Sequence, residues 1–102
     1  MIVKTLSFGG IDISYRVTGK GSDVILLHGF GEDGSVWKFQ EAFLAPYFRL
    51  IIPDLPGSGR SHFLPMTGIP PADIISGYAD IIKKIAEKEA VRHCVLLGHS
   101  MG

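Results

Sequence analysis

The stretch Cys94-Val95-Leu96-Leu97-Gly98-His99-Ser100-Met101-Gly102 decides the fold. It begins with a short continuous apolar run, the pattern of a strand buried on both faces. The run passes directly into Gly98-His99-Ser100-Met101-Gly102, a Gly-x-Ser-x-Gly motif. After a buried strand, this motif predicts a sharp strand-to-helix turn that projects the serine hydroxyl. Such a turn crowds its neighbours, so small residues are needed two positions before and two after, here Gly98 and Gly102. A helix starting there would aim its free N–H groups at the same point, where they favour developing negative charge.

Working outward, two more runs have the same character: Val24-Ile25-Leu26-Leu27 and Leu50-Ile51-Ile52. Helical segments separate the three. Ser35 to Ala45 reads as a helix with Ser35 as its cap, Trp37, Phe39, Phe43 and Leu44 as its apolar residues, and Pro46 as its stop. Trp37 and Phe39 read as core. Residues 71–89 read as a longer helix. Ile74, Tyr78, Ile81 and Ile85 recur at spacings of four, three and four, opposite a face carrying Lys83, Lys84, Glu87 and Lys88. Pro71 suits its first turn. Residues 56–70 are rich in Gly, Ser and Pro and read as loop. At the start of the chain, Ile11, Ile13, Tyr15 and Val17 alternate with polar residues, and Ile2, Leu6 and Phe8 share one parity. With Gly9-Gly10 between them, these runs predict an antiparallel hairpin, 2–8 and 11–18.

The predicted fold is α/β: a mostly parallel sheet of strands at 2–8, 11–18, 23–28, 48–53 and 93–98, with an antiparallel opening hairpin. Helices at 35–45 and 71–89 lie on opposite faces. There is no internal repeat or linker, and the 102 residues make one domain. Lys plus Arg and Asp plus Glu number 10 each, so zero net charge gives no electrostatic argument for nucleic acid or an anionic membrane as partner. No apolar run reaches a membrane span of roughly 18–20 residues, and the N-terminus lacks the pattern of a signal peptide, so a cytoplasmic location is expected. The single cysteine, Cys94, excludes an internal disulfide and reads as a buried thiol. No metal or organic cofactor is implied.

In open α/β sheets, ligands bind beyond the carboxyl ends of the parallel strands. All three apolar runs end there in glycine-containing loops: His28-Gly29-Phe30-Gly31, Asp54-Leu55-Pro56-Gly57-Ser58-Gly59-Arg60-Ser61, and the Ser100 loop. Taken together, these loops resemble the α/β-hydrolase family, over essentially the whole chain and in family order. The first looks like the family's oxyanion loop, the second like its D-x-x-G-x-G-x-S loop, the third like its nucleophile elbow. The resemblance implies the strand order 1-2-4-3-5. It also implies that Ser100 is a nucleophile, with the backbone N–H groups of Phe30 and Met101 as oxyanion hole. His28, Gly29, Gly31, Asp54, Gly57, Gly59, Gly98 and Gly102 would organise the loops. A serine there fits esterases, lipases, peptidases and related acyl-transfer enzymes, with a small-molecule ester or other acyl substrate. It disfavours the family's epoxide hydrolases and haloalkane dehalogenases, which use aspartate.

Ser100 as a mere helix cap is the weaker reading with all three loops present. His99 reads as packing, His28 as a structural residue of its loop, and His62 and His93 as solvated. Asp54 has the residue type of a triad acid but lies in the wrong loop, and more simply organises its own.

A serine hydroxyl needs a general base, and the base an orienting acid. The family supplies these after the elbow, where this chain has ended. The expectation is therefore a single partial domain, the N-terminal part of a serine hydrolase truncated at the elbow and inactive by itself. Two alternatives stand beside it. Gly29-Phe30-Gly31-Glu32-Asp33-Gly34 matches G-x-G-x-x-G, with Asp54 placed as a ribose acid, the fingerprint of a dinucleotide-binding Rossmann unit. Glu32 and Asp33 would set two negative charges where the pyrophosphate must sit, and the leading hairpin does not belong to that fingerprint. A non-catalytic interaction module is the other. The last strand, 93–98, is expected to be an unprotected sheet edge, paired in a homodimer or with the missing C-terminal half.

Overall fold

The computed structural model describes residues 2–8, 11–29, 33–54 and 71–99, with side chains from Gly77 onward in the last segment. Five strands form one sheet: β1 (Ile2–Phe8), β2 (Ile11–Thr18), β3 (Ser22–Leu27), β4 (Phe48–Pro53) and β5 (Cys94–Gly98). Their order is β1-β2-β4-β3-β5, as the resemblance implied. β2 runs antiparallel to both β1 and β4, while β3 is parallel to β4 and β5. Four strands therefore point one way and only β2 opposes them. The β1–β2 register closes with Phe8 opposite Ile11. Gly9-Gly10, read as its turn, lies outside the described residues.

The double burial read from the apolar runs holds for β3 and β4. Ile25 and Ile51 face one side with Ile13 and Tyr15, where helix α2 (Pro71–Lys88) lays down Tyr78, Ile81 and Ile85. Val24, Leu26, Leu50 and Ile52 face the other side and meet Trp37, with Val36 and Leu44 beside it. The two helical segments thus cover opposite faces, which is why a period-two run is apolar at every position. Lys83, Lys84, Glu87 and Lys88 are exposed, as the helical stripe predicts.

The first helical segment differs in three ways. It opens as a 3₁₀ turn, Gly34–Trp37, and becomes α-helix α1 only over Lys38–Leu44. Its cap is Asp33, not Ser35: Asp33 Oδ1 accepts from the Ser35 backbone N–H at 2.8 Å and from the Ser35 hydroxyl. A carboxylate one residue ahead of the first turn outcompetes a hydroxyl within it. Finally, Phe39 and Phe43 are 80% and 74% exposed, while Trp37 is 9% exposed. At about 100° per residue, Leu44 comes back to the face of Trp37, whereas Phe39 and Phe43 project from the far side.

β5 differs too. Every one of its residues is exposed, and so is Cys94, which was expected to be buried. β5 pairs with β3 alone among the described strands. As an edge strand it lacks the cover that makes β3 and β4 dry.

The lower end of α2 is fixed by charge. Glu89, buried, accepts from Tyr15 Oη at 2.6 Å and from Lys4 Nζ at 3.0 Å. Arg49 donates to the Glu89 carbonyl at 2.9 Å and to Asp23 at 2.5 Å. Ala90, at φ 57°, closes the helix with Val91 N–H to Ala86 O and Ala90 N–H to Glu87 O, the two bonds of a Schellman turn. No helix among the described residues is long and apolar enough to cross a membrane.

Candidate active site at the strand ends

β4, β3 and β5 are neighbours and parallel, so their carboxyl ends meet at one edge of the sheet. The chain leaves β3 into His28-Gly29, β4 into Asp54 and β5 into His99. Of the residues singled out in the sequence, His28, Gly29, Asp54 and Gly98 are described. Ser100, Phe30, Met101, Gly31, Gly57, Gly59, Gly102 and His62 lie outside the described residues.

His28 is buried, with Nδ1 2.8 Å from the Gly29 carbonyl. A carbonyl oxygen only accepts, so Nδ1 carries the proton in this bond. The imidazole is thereby tied to the backbone of the next residue. His93 is exposed, as expected.

Asp54 bonds to residues outside its own loop. Its Oδ1 accepts from the Gly34 N–H at 2.7 Å, and its own N–H donates to Ser14 O at 2.8 Å. On the other side of Gly34, Arg16 Nη2 donates to the carbonyl at 2.9 Å, and the same guanidinium pairs with Glu41. Gly34 is thus pinned from both sides, and a Cβ there would lie 2.9 Å from both Arg16 Nη1 and Asp54 Oδ1, so those side chains would have to shift. Asp33 is held below the usual carboxylate range, chiefly by the hydroxyl and then the N–H of Ser35. A cleft of about 340 Å³ opens beside this network, lined by Ser14, Arg16, Ser35, Lys38 and Asp54 among others. Charges of both signs line it, beside Val3, Tyr15 and Ile52.

His99 packs, as read, and its partner is Trp37. The two rings meet edge to face, centroids 6.4 Å apart and planes at 82°. The His99 N–H donates to Leu27 O at 3.0 Å, continuing the β3–β5 ladder past Gly98. The sequence reading missed both the Trp37–His99 contact and the Gly34–Asp54 bond. For the second a signal existed: Gly34 and Asp54 are the residues the dinucleotide fingerprint would have used for phosphate and ribose. Here they bind each other.

The sequence profile of the alpha/beta hydrolase family matches residues 24–102, the same residues that carry the Rossmann alternative, which is set aside. Among curated relatives, the chain is 34% identical over 94 residues to a pimeloyl-[acyl-carrier protein] methyl ester esterase of Vibrio campbellii, covering 89% of this chain and 32% of that protein. Among solved structures, it resembles the thioesterase domain from the curacin biosynthetic pathway at a TM-score of 0.84 and 31% identity, over 100% of this chain and 38% of that one. It also resembles an epoxide hydrolase from Vigna radiata at a TM-score of 0.85 and 25% identity, over 99% of this chain and 32% of that one. The chain therefore spans about a third of the length of these relatives. The strand order, the three parallel strands ending together and the profile match agree: the chain belongs to the α/β-hydrolase family.

Proposed function

We propose that the full-length protein is a serine hydrolase acting on small acyl esters or thioesters. Ser100 Oγ attacks the acyl carbon, the C–O or C–S bond to the leaving group breaks, and water then releases the acid from the acyl-enzyme. The backbone N–H groups of Phe30 and Met101 receive the oxyanion. The base that takes the serine proton and the acid that orients it come from beyond Gly102. Asp54 does not fill that acid's place, being engaged with Gly34.

The observation that carries this reading is Gly98-His99-Ser100-Met101-Gly102 directly after a strand paired in parallel with the one ending in His28-Gly29. The esterase and thioesterase relatives support the substrate class. The epoxide hydrolase shares the fold, and the residue type at position 100 is what separates the two chemistries. Labelling the full-length protein with a fluorophosphonate tests the reading. Label on the protein and none on its Ser100→Ala variant is expected; equal labelling of both would overturn it. The 102 residues alone are expected to give no serine-dependent ester hydrolysis.

The same reading extends to assembly. β5 pairs on one side only among the described strands, with Val95 and Leu96 56% and 57% exposed. In the full-length protein its free edge takes a further strand of the same chain. In the isolated 102 residues it pairs with a second copy.

A further inference from the structure

We propose that Trp37 is a positioning residue for Ser100, acting through His99. The proposal rests on the serine-hydrolase reading above. His99 immediately precedes Ser100, so whatever fixes His99 fixes the entry to the elbow. Among the described strands, the one leading to it pairs with β3 alone. The described restraints come from the β3 side: the His99 N–H bonded to Leu27 O, and the His99 ring set edge to face on Trp37.

Trp37 can transmit position because it is itself immobilised. It ends the 3₁₀ turn that Asp33 caps, three residues after the Gly34 peptide that Asp54 and Arg16 clamp. Its ring is packed among Val24, Leu26, Leu50 and Ile52, on the two central strands. One rigid turn therefore touches the loop after β4 through Asp54 and the elbow through His99. Its aromatic contact falls in the 4.5–7 Å range where ring quadrupoles favour the edge-to-face geometry. A misplacement of about 1 Å at a reacting group costs up to roughly 10²-fold in rate. Loosening the ring contact on the residue before the nucleophile is expected to cost about three- to tenfold.

The test uses the full-length protein, a p-nitrophenyl ester of a short acyl chain, and four variants beside Ser100→Ala. His99→Ala is expected to lower kcat about three- to tenfold, with KM close to wild type. His99→Phe, which restores a ring to the edge-to-face pair, is expected to recover most of that loss. Trp37→Leu is expected to lower kcat similarly, and Trp37→Leu/His99→Ala to be no slower than Trp37→Leu alone, because both remove the same contact. Wild-type kcat in His99→Ala, or losses that multiply in the double variant, would overturn this proposal alone. Should Trp37→Leu not fold, the His99 pair decides: an equal loss in His99→Ala and His99→Phe overturns it. Undiminished turnover in Ser100→Ala would overturn it together with the reading beneath it.

Discussion

Gly34 donates its backbone N–H to the Asp54 carboxylate at 2.7 Å, across twenty residues of sequence. This bond ties the turn that follows β3 to the loop that follows β4. Gly34→Ala would press a methyl group onto Arg16 Nη1, Asp54 Oδ1 and Ile52 Cγ2, at 2.9, 2.9 and 3.1 Å. The expected loss is about 1–3 kcal/mol, the usual range for overpacking. Asp54→Ala leaves the Gly34 N–H without its acceptor and is expected to lose a similar amount, whereas Asp54→Asn keeps an acceptor oxygen and loses less. Urea denaturation of the full-length variants, read at constant slope, checks all three.

Ala90 occupies a position that glycine fits better. With φ at 57°, its Cβ crowds the following carbonyl, at roughly 1–2 kcal/mol for a residue other than glycine. Ala90→Gly removes that strain and adds about 0.5–1 kcal/mol of chain entropy to the unfolded state. A net gain of up to about 1 kcal/mol is expected, seen as a higher urea midpoint. An unchanged or lower midpoint would count against a left-handed Ala90.

Glu89 makes stability sensitive to acid. Burial alone would raise its pKa, but hydrogen bonds from Tyr15 and Lys4 and the charges of Lys4 and Arg49 outweigh it, and the group sits below its ordinary value of 4.5. A carboxyl whose folded pKa is depressed contributes stability that is complete above its unfolded pKa and is lost as pH falls through the folded one. The Glu89 contribution is therefore whole above about pH 5 and disappears below 4.5. Glu89→Gln is expected to be less stable at pH 7 and to lose part of the slope of stability against pH below about 5. Tyr15 works at the other limit. Burial, then its bond to the Glu89 carboxylate, raises its pKa above the ordinary 10, so its contribution is lost only in strong alkali.

The phase of α1 yields a contrast between neighbours. Phe43→Glu changes a side chain that is 74% exposed and is expected to alter stability by less than about 0.5 kcal/mol. Trp37→Ala empties a buried site in the cluster with Val24, Leu26, Leu50 and Ile52 and is expected to lose about 3–5 kcal/mol. Thermal unfolding of the two variants separates them, and comparable losses would mean that Phe43 is covered.

These contrasts mark what the chain displays locally and what it does not. The runs at Val24–Leu27 and Leu50–Ile52 read correctly because burial on two faces leaves no polar position in the run. Tyr78, Ile81 and Ile85 read correctly because a helix against a sheet repeats its contact every three or four residues. Phe39 and Phe43 did not, because an aromatic residue announces that it is apolar, not which way it turns. Glu89 was invisible because its partners Lys4 and Tyr15 lie 85 and 74 residues away, on strands that meet α2 only in the folded chain. At the site, the loops were legible as motifs, while the contacts joining them, Gly34 to Asp54 and Trp37 to His99, are products of the strand order.

Assembly of the isolated 102 residues follows from β5. The strand offers a row of N–H and C=O groups with no partner strand on its outer side among the described residues. Val95, Leu96 and Leu97 are 56%, 57% and 37% exposed, and the strand has neither a charge nor a proline to discourage pairing. A second copy satisfies the edge and closes the assembly by an isologous contact, the two β5 strands antiparallel about a two-fold axis, which continues the sheet. Light scattering is expected to give twice the 11.1 kDa of one chain, falling toward the monomer on dilution. Val95→Lys places a solvated charge at the pairing strand and is expected to shift the equilibrium toward monomer without unfolding the β1-β2-β4-β3 sheet behind it. In the full-length protein the same substitution is expected to destabilise instead, because there the edge pairs within the chain. A soluble 11.1 kDa monomer that Val95→Lys leaves unchanged would show that the edge needs no partner.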